Sequence, residues 1–142
     1  MPEVKKDDFP DDPKTWPKKP LVALDPAHKD DRGAIQPLVE RFMRSACLIT
    51  SKKGAVRANH YHKTDWHYCY IVSGSLEYYE RPVGSKEKPK PLLVKGGQMI
   101  FTPPWAEHAM RFLEDSVWVT LSRNPRDQES YEKDVVRVQV IE

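Results

Sequence analysis

Four of the five histidines stand at spacings that let their rings share a ligand: Gly54-x5-His60-x-His62-x4-His67-x6-Gly74, and later Gly97-x5-Pro103-x4-His108. Side chains one residue apart on an extended segment project to the same face, because a strand repeats every second position. One ion or one substrate can therefore meet both His60 and His62. A neutral imidazole gives a lone pair to a transition metal or takes up a proton near neutral pH, so His60 and His62 are the candidate catalytic pair. His60, His62, His67 and His108 are the candidate metal ligands. On the expected Trp66–Val72 strand, His67 shares a face with Cys69 and Ile71, which fits an inward ligand and equally a buried, hydrogen-bonded imidazole. The fifth histidine, His28, reads as an exposed loop residue.

Short apolar runs punctuated by Gly, Pro, Asp and Lys predict an all-β domain to position these rings. The expected strands are Leu21–Leu24, Ala34–Glu40, Arg44–Ser51, Trp66–Val72, Ser75–Glu80, Leu92–Lys95, Gln98–Thr102, Ala109–Phe112, Val117–Ser122 and Val135–Ile141. One short helix is expected near Asp127–Lys133, after the Asn124-Pro125 break. So many strands in 142 residues imply a closed or double-sheet barrel, since an open sheet would leave bare edges. Gly74 is expected to supply positive φ at a hairpin tip. By strict alternation Arg57, Asn59, Tyr61 and Lys63 face away from the histidines unless the strand bulges. Tyr68, Trp105 and Glu107 are candidate substrate contacts: an aromatic lining, an indole at the rim, and a carboxylate at the rim or behind an imidazole. The division expected is an extended Pro-rich arm over residues 1–20, with Phe9 and Trp16 as anchors, and a barrel over 21–142.

With 23 basic against 21 acidic residues, the chain lacks the electrostatic footprint of a nucleic-acid binder. A small-molecule partner is expected. No window holds the ~20 apolar residues of a membrane span, and the N-terminus lacks a signal-peptide core, so the expectation is a cytoplasmic protein. Cys47 and Cys69 make no C-x-x-C pair and read as reduced, buried thiols.

The two glycine-framed histidine runs resemble the motifs of the cupin superfamily. Gly54, His60, His62 and Gly74 occupy fixed positions of the first motif, with His67 where glutamate is usual. Gly97, Pro103 and His108 match the second, with Trp105 in place of glycine and Phe112 in place of asparagine. The resemblance implies a single cupin (double-stranded β-helix, jelly-roll) barrel and one bound divalent metal. With His67 for glutamate the donor set becomes all imidazole, which suits Fe, Zn, Ni or Cu better than Mn or Mg. Trp105 implies that its turn does not rely on positive φ. Within the superfamily, the run Val56–Lys63 and the upstream Asp30-Asp31-Arg32-Gly33 are similar to cupins that isomerise or epimerise nucleotide-linked keto sugars and to cupin domains of capsule-sugar enzymes. The resemblance thus implies a metal-binding isomerase or epimerase of carbohydrate metabolism, working as a homodimer. An all-histidine iron dioxygenase and a non-catalytic ligand-binding cupin are the alternatives.

Overall fold

A computed structural model describes residues 9–142. Val4 and the rest of the first eight residues of the expected arm lie outside the described residues. The strands are β1 (His28–Asp30), β2 (Gly33–Ile35), β3 (Ser45–Ser51), β4 (Val56–His62), β5 (His67–Ser73), β6 (Ser75–Pro82), β7 (Leu92–Lys95), β8 (Met99–Thr102), β9 (Ala106–Phe112), β10 (Ser116–Ser122) and β11 (Val135–Arg137), with helix α1 (Gln128–Asp134) before the last. Two antiparallel sheets face each other, ordered β3-β10-β5-β8 and β11-β4-β9-β6-β7, and β1-β2 forms a separate hairpin. The all-β, double-sheet expectation holds.

Between the sheets lies a core of Cys69, Ile71, Leu76, Tyr78, Val94, Ile100, Met110, Phe112 and Trp118. Each of the larger side chains contributes roughly 1.5–3 kcal/mol by leaving water. The four-stranded sheet is also covered on its outer face, where Trp66, Tyr68, Met99 and Phe101 pack with Phe9, Trp16, Val22 and Leu24. That double burial explains why β8 reads as the unbroken apolar run Met99-Ile100-Phe101 instead of alternating. Residues 9–20 lie on this face and include one 3-10 turn at Pro13–Thr15, entered through a proline and capped by Asp12. Asp11 fastens the segment by accepting from Trp16 Nε1 at 2.8 Å, Trp66 Nε1 at 3.0 Å and Arg123 Nε at 3.2 Å.

Several expected elements differ. Leu21–Leu24 makes only an isolated bridge from Leu21 to Ile100, since its backbone follows the outer face without a strand partner along its length. Ala34–Glu40 shortens to Gly33–Ile35, and the strand from Val135 ends at Arg137, although Val138 and Val140 still turn inward between exposed Arg137 and Gln139. β4, which carries His60 and His62, is the extended segment that the histidine alternation implies, although its polar residues keep it out of the strands recognised by apolar runs. The helix begins one residue later than expected and reaches Asp134, with Asp127 accepting from Ser130 N as its N-cap.

Two backbone features shape the site. Ala58 and Asn59 take φ of 68° and 53°, and the register of β4 against β9 slips between Ala58 and His60. This bulge overrides strict alternation and lets Arg57 line the same cavity as His60 and His62. Asn59 tolerates the left-handed region and uses its amide there, accepting from Val140 N and Ile141 N and donating to Ile141 O, each at 3.0 Å. At the β5–β6 hairpin Gly74 has φ of 99°, and a Cβ there would stand 2.8 Å from the Asp115 carbonyl, so glycine is required.

Trp105 corrects the expectation for its turn: its φ is 61°, so the turn does use the left-handed region. Its N–H donates to His62 O at 2.8 Å, and its ring packs on Tyr61 with centroids 5.5 Å apart. These contacts offset a backbone cost of about 1–2 kcal/mol. Trp105→Gly should therefore be more stable than Trp105→Ala by about 1 kcal/mol in urea unfolding, because both lose the ring and only glycine relieves the φ. Equal midpoints would show that the turn is unstrained.

Candidate active site

The histidines converge from both sheets. His60 and His108 are direct cross-strand partners on β4 and β9, and His67 projects from β5 opposite them. Ring centroids lie 4.7 Å apart for His60–His62 and for His60–His108, 5.6 Å for His62–His67, and 5.5 Å for His67–His108. One ligating atom from each of His60, His62 and His108 falls within 4.8 Å of the others, and His62, Asp65 and His67 form a second such group.

Partners fix two of the tautomers. The His62 Nδ1–H donates to Asp134 Oδ2 at 3.0 Å, which leaves the Nε2 lone pair free. Asp134 also accepts from Thr64 N at 2.7 Å, Thr64 Oγ1 at 2.8 Å and Asp65 N at 3.2 Å. Burial alone would raise its pKa, but the hydrogen bonds from His62 and Thr64 outweigh this and hold it well below the usual carboxylate range. Asn124 ties the turn together, donating from Nδ2 to Thr64 Oγ1 and from its backbone N to Asp65 Oδ1, both at 2.9 Å. His108 Nδ1–H donates to Ala106 O at 2.9 Å, and its Nε2 is buried with no hydrogen-bond partner among the described residues.

Burial keeps His60, His67 and His108 neutral. It lowers the His60 pKa to about 2, helped by His108 and His62, and the His108 pKa to about 4. His67 is likewise held well below its ordinary value by burial. Burial pushes the Asp65 carboxyl up to about 6. Near neutral pH the rings thus present lone pairs, not N–H cations. An orphaned Nε2 beside two more imidazole lone pairs is a donor set that fits a divalent transition ion, with Asp134 and the Ala106 carbonyl orienting two ligands from behind.

The cavity measures about 140 Å³ and is lined also by Arg57, Asp65, Trp118, Arg126 and Tyr131. Tyr131 reaches His60 Nδ1 at 3.4 Å, and the Arg126 guanidinium lies 3.9 Å over the Tyr131 ring. Tyr68, Trp105 and Glu107 are not among the lining residues. Tyr68 packs on the outer face with Trp66 and Phe101, and Trp105 stacks on Tyr61 while half exposed. Glu107 is buried against Arg81 Nε at 2.7 Å and orients no imidazole. Sequence reasoning missed Asp65, Arg126, Tyr131 and Asp134. The last three follow the Asn124-Pro125 break on or beside the expected helix; on α1, positions 131 and 134 are three apart and so share a face.

No family model matches the chain, and no curated protein matches it. Solved structures do. A 3,4-ketoisomerase from Helicobacter canadensis is 17% identical over 84% of this chain and 90% of that one, with a TM-score of 0.69. A double mutant of the QdtA 3,4-ketoisomerase from Thermoanaerobacterium thermosaccharolyticum, in complex with TDP, is 21% identical over 82% and 85%, with a TM-score of 0.66. The capsular polysaccharide assembling protein CapF from Staphylococcus aureus is 24% identical over 85% of this chain but only 35% of its own, with a TM-score of 0.62. The shared fold is that of the cupin-like double-sheet barrel.

Proposed function

We propose that this protein is an isomerase or epimerase of keto sugars, nucleotide-linked as in its structural neighbours, and that it works by proton transfer beside the carbonyl. The observation that carries this reading is the pairing of His62, on the cavity wall, with Asp134 behind it: the Nδ1 contact leaves the Nε2 lone pair free, and the carboxylate fixes the tautomer and stabilises the imidazolium that forms. His62 takes the proton from the carbon next to the ketone, and the C–H electron pair forms the enolate. Returning the proton to the former carbonyl carbon, while the hydroxyl proton of the first carbon passes to the enolate oxygen so that the first carbon becomes the ketone, isomerises the sugar; returning it to the opposite face of the first carbon epimerises it. Tyr131 is the hydroxyl on the cavity wall able to donate toward a developing oxyanion or to return a proton. The unpartnered His108 Nε2 can accept from a sugar hydroxyl.

A second reading rests on that same orphaned nitrogen. His60, His62 and His108 would hold a divalent ion, and His67 is within reach of His62 as a further donor. Such an ion supplies Lewis-acid polarisation of a carbonyl. The His62 lone pair serves one role at a time, base or ligand.

Incubating the purified protein with 4-keto-sugar nucleotides in D2O tests the proposal. Deuterium should enter the carbon next to the carbonyl, and should still do so after chelation. Activity that disappears on chelation and returns with a metal would favour the second reading, and no exchange with any keto-sugar nucleotide would remove both.

A further inference from the structure

The cavity admits a ring but little more: about 140 Å³ compares with roughly 150 Å³ for a site that holds one benzene. Whatever is attached to a sugar bound there must lie at the mouth. Two guanidinium groups line the cavity, and they differ in what they are free to do. Arg57 is committed to its own sheet, with Nε donating to Ser51 Oγ at 2.7 Å and Nη2 to Thr50 O at 3.0 Å. Arg126 is exposed and stacks on Tyr131, with no hydrogen bond or ion pair to any described residue.

The carboxylates around it are occupied elsewhere. Asp127 caps the helix through Ser130 N, Glu129 pairs with Lys133, Glu132 pairs with Arg137, and Asp134 holds His62. Burial keeps His60 and His67 neutral, and Glu132, whose carboxylate feels the Arg126 charge, is hydrogen-bonded to Arg137. A guanidinium placed over an aromatic face keeps its N–H donors available to other partners, and their planar fork matches phosphoryl oxygens. Resting the guanidinium on the Tyr131 ring before the ligand arrives lowers the ordering cost of binding.

We infer that Arg126 anchors the diphosphate of a nucleotide-linked sugar at the mouth of the histidine cavity, so that the sugar ring is presented to His62. This deepens the isomerase reading and rests on it for the identity of the ring, while the anion contact can be tested alone. Calorimetry on the full chain with TDP as the probe should show a Kd weakened at least tenfold by Arg126→Gln and less by Arg126→Lys. Lys133→Gln removes the same charge from α1, the helix that follows Arg126, and should leave the Kd within twofold. Inorganic pyrophosphate should compete with TDP, and thymidine should not bind measurably. The inference is overturned if the unaltered protein binds no TDP, if Arg126→Gln binds it as well, if Lys133→Gln weakens it equally, or if pyrophosphate fails to compete. Arg126-dependent TDP binding without sugar turnover would remove the isomerase reading and leave the anchor standing. Turnover with TDP affinity indifferent to Arg126 would do the reverse.

Discussion

His62→Asn is expected to lower kcat/KM by about 10²–10⁴-fold, the range a positioned general base contributes. Asparagine keeps an N–H that can reach Asp134, so the turn at Thr64–Asp65 stays pinned while the Nε2 lone pair is lost. The fall should appear in kcat with KM little changed, because in the proposed reaction groups other than His62 would hold the substrate. Asp134→Asn should act in the same direction, since a carboxamide can present its N–H to Nδ1 and turn the tautomer the wrong way round. A loss below tenfold in His62→Asn would mean that the proton is taken elsewhere, with His60 and His67 the next rings to test.

Acid should destabilise the metal-free protein steeply. His60, His67 and His108 have folded pKa values below the ordinary 6.5. From pH 6.5 downward the unfolded chain therefore takes up protons that the folded chain refuses, and stability falls as pH falls. The loss levels off for His108 near pH 4 and for His60 near pH 2. Asp65 acts in the opposite sense: raised to about 6 from an ordinary 3.8, it binds its proton more readily in the fold and adds stability as pH drops between those values. Three refusals against one acceptance leave a slope on the order of 2–3 kcal/mol per pH unit between pH 6 and 4. Asp134, held below 3.8, adds its own loss only beneath that pH. Urea midpoints at pH 7, 6, 5 and 4.5 measure the slope; a flat profile over that range would mean that the rings are not buried as neutral imidazoles.

The convergence of His60, His62, His67 and His108 is legible in the sequence because glycine spacing and strand alternation are local rules, and they point the rings correctly even though β4 has no apolar run to mark its ends. The rest of the site is not legible, for a tertiary reason. Asp134 lies more than seventy positions from His62 and meets it only when β11 pairs with β4, bringing Val135 opposite His62. Nothing near Asp134 distinguishes it from Glu129 or Glu132, which face solvent with basic partners. Glu107 fails the other way: its place beside His108 suggests chemistry, but adjacent strand residues face opposite sides, and it pairs with Arg81 behind the sheet. Trp105 shows that a motif glycine marks a backbone conformation and not a residue type, since tryptophan adopts the same φ where a hydrogen bond and a ring contact support it.

Asn59 joins two jobs that a designer would prefer to keep apart. Its backbone conformation turns His60 into the cavity, and its side-chain amide clips the segment at Val140 and Ile141 to the barrel. Recombination that exchanges the final segment between homologous barrels would therefore retune the chemistry at a distance, and directed evolution at the tail should be screened together with position 59 as one heritable block.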